Sequence, residues 1–285
     1  HHLLYDGWSL PVLMEEFLST YKRLTQNQTP QITQEDRYED YIKYLSNQDN
    51  HKASAYWKNY LEGVNEGSLL PFIGTNADRN KGIGNYKTIK FSTDTVTTKQ
   101  LQAFAQQHHI TINTLMQGVW AELLHRYTGN SDVIFGTIVS GRPDDLPNIE
   151  QRVGMFINTL PLRSEKKAGL GFVHQLEHLQ RQQIASREFQ YTPLQQIQAL
   201  SVVEGDLFDT LFVFENYPIS KMLTNNNWGI MLSNVEMDEH TNYPLTLKIS
   251  ASDTIQVAFN YNENVLQTAY VDAIRSHFEY VIAQI

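Results

Sequence analysis

The chain contains no cysteine among its 285 residues, so disulfides, thiolate nucleophiles and zinc–thiolate sites are excluded. Basic residues are also few: 22 Lys and Arg stand against 31 Asp and Glu, which gives a net charge of -9. That balance argues against a nucleic-acid-binding face. No apolar run approaches the roughly 18 residues that a membrane span requires. An acidic, cysteine-free chain is typical of the cytosol, and we expect a cytoplasmic protein with no membrane or nucleic-acid partner.

The residues that are present suit a folded globular protein. Hydrophobic residues make up 41% of the chain, with 15 Tyr and 13 Phe among the aromatic ones. A chain of this length can form one large domain or two modest ones. We therefore expect a substantial apolar core.

The first seven residues, His1-His2-Leu3-Leu4-Tyr5-Asp6-Gly7, carry the clearest chemical signal. Histidine can exchange a proton near neutral pH without a large change in its pKa. Asp6 can orient a histidine ring or lock the turn that carries it, and Gly7 lets backbone approach a substrate closely. Because the sequence starts at this motif without a methionine, we expect the chain to be a piece of a longer protein.

Apolar periodicity predicts three helices at the start of the chain, then a strand–helix–helix–strand order, a run of late strands and a closing helix. A glycine-rich stretch without periodicity, residues 63–86, separates the first three helices from the rest of the chain. Helices are predicted at residues 8–24, 38–45, 53–61, 95–108, 111–127, 172–189 and 265–285. Strands are predicted at residues 86–91, 133–139, 157–162, 211–214, 230–235, 245–250 and 255–261. This order indicates a mixed α/β layer architecture.

The opening segment resembles the HHxxxDG signature of the condensation domains of nonribosomal peptide synthetases. Four further ordered stretches resemble later signatures of that family, so the similarity covers nearly the whole chain. These stretches are Tyr38–Tyr41 with Tyr56-Trp57, Ser140–Pro143 with Val153–Pro161, Tyr191–Leu194, and Phe208–Pro218. The run Gly7-Trp8-Ser9-Leu10-Pro11 resembles the type that joins an L-aminoacyl donor to an L-aminoacyl acceptor.

The resemblance implies an α/β fold like that of chloramphenicol acetyltransferase, with two lobes of mixed sheet and flanking helices and a tunnel between them. Residues 1–65 would end a truncated N-terminal lobe, residues 66–85 would form an interlobe linker, and residues 86–285 would form the C-terminal lobe. Upstream and downstream peptidyl carrier domains would present thioesters on 4'-phosphopantetheine, beside an adenylation domain. The domain itself would bind no cofactor, and we expect this chain alone to be inactive.

The resemblance also implies roles for single residues. His2 would be the catalytic residue that points into the tunnel, as a base or as a positioning group. His1, Asp6 and Gly7 would support the motif, with Asp6 paired to an arginine. That arginine is expected before residue 1, and Arg142 is the weaker candidate; Arg142 is equally consistent with a substrate role. The residues expected to line the tunnel are Trp8, Ser140, Arg142 and Asn158.

Other interpretations stay open at this point. The chain could be a related HHxxxDG acyltransferase that uses coenzyme A and a free alcohol or amine, although the later signatures argue against this. It could also be a non-catalytic recruitment domain, although such relatives tend to lose the histidine pair. A histidine tag remnant or a metal site formed by His1, His2 and Asp6 is a weaker alternative, and we expect no metal.

Overall fold

The computed structural model describes residues 4–30, 37–74, 77, 79, 82–215, 228 and 240–285. It contains two compact units. The first comprises residues 1–49, 139–158 and 216–238, and the second comprises residues 50–138, 159–215 and 239–285. These boundaries are not those of the lobes and linker expected from the resemblance, and that lobe assignment stays a prediction.

The first unit has two helices in its described part, α1 (Ser9–Thr25) and α2 (Tyr38–Ser46). A short 3-10 turn, Ile149–Gln151, lies in its second segment. The apolar centre of this unit consists of Tyr41, Ile149 and Phe156, with Tyr38, Tyr44, Leu45 and Leu146 packed against them. The aromatic residues of α2 thus pack against the chain that follows residue 139.

Two helices of the second unit, α4 (Thr95–Gln107) and α5 (Ile112–Thr128), begin at a side-chain cap. Asp94 accepts a hydrogen bond from the Thr97 N–H at the start of α4, and Thr111 accepts one from the Thr114 N–H at the start of α5. Gly129 ends α5 in the left-handed conformation that glycine favours. The helices are α3 (Asn50–Tyr60), α4 (Thr95–Gln107), α5 (Ile112–Thr128), α6 (Phe172–Ser186), α7 (Leu194–Ala199) and α8 (Thr268–Ile282).

Among the described residues, six strands form one mixed sheet in the order β1-β6-β5-β4-β2-β3. The strands are β1 (Tyr86–Ser92), β2 (Asp132–Val139), β3 (Asn158–Glu165), β4 (Thr210–Glu215), β5 (Leu245–Ala251) and β6 (Ile255–Asn262). Strand β4 is parallel to both β2 and β5, whereas β6 is antiparallel to both β1 and β5. The sheet and helix α5 share one apolar core, which includes Trp120, Phe135, Phe212, Leu247 and Phe259.

The structure confirms the mixed α/β class and most of the predicted elements. The last predicted strand before residue 240, residues 230–235, lies outside the described residues. Helix α6 is shorter than predicted, because the chain tightens into a 3-10 turn at Arg187–Phe189. Helix α7 was not predicted, since its six residues LQQIQA are too few to show a helical period. Within the described part of the chain, no helix has the length and apolar character needed to cross a membrane.

Candidate functional site

Asp6 of the opening motif is held by hydrogen bonds to both its carboxylate and its backbone N–H. His1 and His2 lie outside the described residues. Asp6 and Gly7 form the turn before α1, and Trp8 is the N-cap residue of that helix. Asp6 is completely buried, with an exposed fraction of 0%. A buried carboxylate requires compensating partners, and Asp6 has them on both oxygens.

The carboxylate of Asp6 accepts hydrogen bonds from three residues. Its Oδ1 accepts from the Ser9 N–H at 2.9 Å, the Ser9 hydroxyl at 2.8 Å and Arg142 Nη2 at 3.0 Å. Its Oδ2 accepts from the Phe156 N–H at 3.1 Å. The backbone N–H of Asp6 also donates to the Gly154 carbonyl oxygen at 3.0 Å. The turn after the histidine pair is therefore tied to residues up to 150 positions further along the chain.

Arg142 is the ionic partner of Asp6, and its side chain is only 5% exposed. Nη1 donates to the carbonyl oxygens of Ile149 at 2.5 Å and Arg152 at 3.0 Å. The guanidinium carbon lies 4.1 Å from the centre of the Phe156 ring, which adds a cation–π contact. Of the two alternatives left open for Arg142, the salt bridge is thus present within this chain. The substrate role stays a prediction.

The segment of residues 153–156 is also held by α2. The Tyr38 hydroxyl donates to the Met155 carbonyl oxygen at 2.7 Å, and the rings of Tyr38 and Tyr41 lie 5.2 and 4.7 Å from that of Phe156. Burial raises the pKa of Tyr41 to about 12 and also raises the pKa of Tyr38. Both phenols are therefore protonated at neutral pH and act as packing groups, and Tyr38 also acts as a hydrogen-bond donor.

Glycine is required at position 141, where two chain segments of this region approach each other. Gly141 has a φ of 63°, and a Cβ added there would overlap the carbonyl oxygen of Phe156. Ser140, directly before it, and Asn158, the first residue of β3, are both partly buried. Because β2 and β3 are neighbours in the sheet, the segments that carry Ser140 and Asn158 lie side by side. Trp8 stands on a different element, at the start of α1.

Three residues of this network were missed from the sequence. No contact was assigned to Ser9, which was noticed in the run Gly7–Pro11 after the opening motif, and Tyr38 and Gly154 were noticed only as parts of longer signatures. The missed contacts join residues more than 100 positions apart, and such contacts leave no periodic pattern. Among the described residues, no three histidine, aspartate or glutamate side chains are grouped so that they could hold a metal ion.

Comparison with known proteins identifies the family of this chain. The Condensation domain family matches residues 1–285, the whole chain. The chain is 36% identical over 287 residues to a linear gramicidin synthase component of Brevibacillus parabrevis, a match that spans 100% of this chain and 6% of that protein. It is 35% identical over 287 residues to bacitracin synthase 3 of Bacillus licheniformis, spanning 100% of this chain and 4% of that protein. The chain thus spans only a small part of the curated relatives it matches.

Solved structures show the same fold. The first condensation domain of the CDA synthetase matches with a TM-score of 0.76 at 17% identity, over 99% of this chain and 62% of that one. The X-domain from teicoplanin biosynthesis matches with a TM-score of 0.77 at 19% identity, over 99% of this chain and 66% of that one. The fold is accordingly the chloramphenicol acetyltransferase-like fold of these domains.

The sequence match over the full length, with the fold, defines the class of protein. The chain belongs to the condensation-domain family of nonribosomal peptide synthetases. The general reaction of this family is amide-bond formation by acyl transfer.

Proposed function

We propose that this chain takes part in peptide-bond formation between a carrier-bound aminoacyl or peptidyl thioester and a carrier-bound aminoacyl acceptor. The observation that carries the proposal is the buried contact of Asp6 with Arg142, Ser9 and Phe156. This contact fixes the turn at Asp6 and Gly7, which three residues separate from the histidine pair. A rigid turn suits a site in which an imidazole must be held within hydrogen-bond reach of a reacting amine.

In the proposed reaction, the acceptor nitrogen attacks the carbonyl carbon of the donor thioester. The new C–N bond forms, the C–S bond breaks, and the thiol of the donor arm leaves. The nitrogen loses a proton in this process and the leaving sulfur gains one. His2 is the proposed catalytic residue, because a neutral imidazole can accept the proton of the amine or orient it.

The remaining motif residues have supporting roles in this proposal. His1 supports the backbone beside His2, Asp6 holds the turn through Arg142, and Gly7 leaves room for the acceptor arm. We propose that Trp8, Ser140 and Asn158 line the substrate path. Arg142 has protein partners on both terminal nitrogens, which supports a positioning role over direct contact with substrate.

The proposed partners follow from the same reaction. Upstream and downstream peptidyl carrier domains would deliver both substrates as thioesters on 4'-phosphopantetheine, and an adenylation domain would load them. The run Gly7-Trp8-Ser9-Leu10-Pro11 supports an L-aminoacyl donor and an L-aminoacyl acceptor.

The experiment that tests this function is single-turnover condensation by the encoded protein that carries this chain, with two loaded carrier proteins. Replacement His2→Ala is expected to lower the rate about 100-fold or more, since a general acid–base group contributes roughly 10²–10⁴-fold. His174→Ala, which removes an exposed histidine of helix α6 outside the site, is the matched control and should leave the rate unchanged.

Three results would each contradict a part of the proposal. Equal rates for the wild type and His2→Ala would remove His2 from the reaction. Product formed from a coenzyme A thioester and a free amine, with none formed from carrier-bound substrates, would instead favour the coenzyme A-dependent acyltransferase. D-configured donors accepted in preference to L-configured ones would contradict the proposed subtype alone.

A further inference from the structure

Ser9 is the first residue of α1, and its hydroxyl lies within hydrogen-bond distance of four polar atoms. Its hydroxyl lies 2.8 Å from Asp6 Oδ1 and 3.0 Å from the Gly154 carbonyl oxygen, both of which are acceptors. It also lies 3.0 Å from the Gly154 nitrogen and 3.2 Å from Arg142 Nη2, both of which are donors. The residue is completely buried, with an exposed fraction of 0%.

The chemistry of a hydroxyl explains this arrangement. A serine hydroxyl donates one hydrogen bond and accepts two. Ser9 can therefore accept from both Gly154 and Arg142 while it donates to either Asp6 or Gly154. One small group thus contacts the turn of the opening motif, the arginine that pairs with Asp6, and the segment that leads to β3.

We propose that Ser9 is a positioning residue for the condensation reaction. It sets the distance between the turn at Asp6 and Gly7 and residues 154–156, the segment that leads to Asn158 at the start of β3. This inference rests on the proposed function. Ser9 does not need to touch the substrate, because it acts through Asp6, Arg142 and Gly154.

Removal of the hydroxyl has a local consequence. In Ser9→Ala, the Gly154 N–H loses its side-chain partner, whereas the Gly154 carbonyl oxygen keeps the Asp6 N–H at 3.0 Å. Arg142 keeps the Asp6 carboxylate. The network is therefore weakened on one side but not destroyed, and a small displacement of residues 154–156 is expected. Displacements of about 1 Å at a reacting centre can lower a rate by roughly 100-fold.

The test is single-turnover condensation by the encoded protein that carries this chain, with loaded carrier proteins and separate readings of rate constant and amplitude. Ser9→Ala should lower the rate constant about 10-fold or more while the amplitude stays at the wild-type value. Ser9→Thr, which keeps the hydroxyl, should restore the rate constant. Ser19→Ala is the matched control, since it removes a hydroxyl of the same helix whose partner is the Glu16 carbonyl oxygen.

The amplitude separates positioning from simple loss of folding. A merely structural serine would lower the amplitude, the fraction of competent protein, and leave the rate constant of the remainder unchanged; that result would overturn the inference alone. The Ser9→Ala and Asp6→Asn changes should also be non-additive in the rate constant, because they act through one network. If the wild type itself forms no product from loaded carriers, the proposed function fails, and the role of Ser9 in condensation fails with it.

Discussion

The guanidinium of Arg142 shows how a buried charge is accommodated in this protein. It faces a carboxylate, a hydroxyl and two carbonyl oxygens, and an aromatic ring lies beside it. Burying an ion pair gains little by itself, because desolvation offsets the attraction between the charges. The hydrogen bonds to the two carbonyl oxygens and to the hydroxyl offset the desolvation of the guanidinium, and their directions fix its orientation. The pair therefore defines one geometry of the turn more than it stabilises the fold.

Gly141 permits a test of the same region at the level of one residue. Gly141→Ala should lower the free energy of unfolding by about 3 kcal/mol or more, because it combines positive-φ strain with overlap at the Phe156 carbonyl oxygen. Gly169→Ala is the matched control: Gly169 has a φ of 81°, but nothing lies within 4 Å of an added Cβ. It should cost only about 1 kcal/mol. Urea denaturation of both variants measures the difference, and equal losses would show that the close approach to Phe156 has no energetic weight.

At the scale of single elements, the sequence predicts regular structure well and irregular structure poorly. The β-branched run Val133–Val139 and the apolar period of residues 111–127 predicted β2 and α5 to within a residue or two, because both signals repeat along the chain. Helix α7 and the 3-10 turn at Arg187–Phe189 have too few residues to repeat. The starts of α4 and α5 were predicted to within a residue, and the structure shows that Asp94 and Thr111 cap them.

The cap of helix α5 gives the prediction at this scale. Thr111 accepts the Thr114 N–H at 3.0 Å, so Thr111→Ala should lower the free energy of unfolding by about 1 kcal/mol. Thr111→Ser keeps the accepting oxygen and should stay within about 0.5 kcal/mol of the wild type. Thermal and urea unfolding of the two variants provide the comparison. If Thr111→Ser lowers the free energy of unfolding as much as Thr111→Ala does, the γ-methyl group of Thr111, and not the hydrogen-bonded cap, accounts for the loss.

For the whole molecule, the site was less predictable than the fold because its contacts are distant in sequence. Asp6 and Arg142 are 136 residues apart, and the sequence analysis placed the partner of Asp6 before residue 1 by preference. Ser9 and Tyr38 bind backbone atoms of Gly154 and Met155, and backbone partners have no residue type by which a sequence could reveal them. The family signatures located the right segments, but only the folded chain shows which atoms meet.

Buried His125 makes the stability of the second unit depend on pH. Its Nδ1 lies 2.7 Å from the Asn130 carbonyl oxygen and its Nε2 lies 3.2 Å from the Ser164 hydroxyl, so α5 is joined to β3 through a neutral ring. Burial lowers the pKa of His125 below its usual value. The unfolded state therefore binds the proton first as the pH falls, and stability is complete above about pH 6.5 and declines below it.

The prediction for His125 is a difference in pH profiles. His125→Gln should show a shallower loss of unfolding free energy than the wild type as the pH falls from about 6.5 towards the lowered pKa. Subtracting the variant's profile from the wild type's isolates this group from others, including Asp209, whose pKa burial raises to about 6. Parallel profiles for the two proteins over that range would show that His125 has the same pKa in the folded and unfolded states.

The long reach of the Asp6 contacts has a consequence for synthesis of the protein on the ribosome. The carboxylate receives its last hydrogen bond from a residue 150 positions later. At about 5–20 residues per second, translation takes roughly 7–30 s to cover that distance. The turn has no cation until Arg142 is made, 136 positions after Asp6, and it lacks its last backbone donor until Phe156 follows. The turn after the histidine pair is thus among the late features to form, however early it is made.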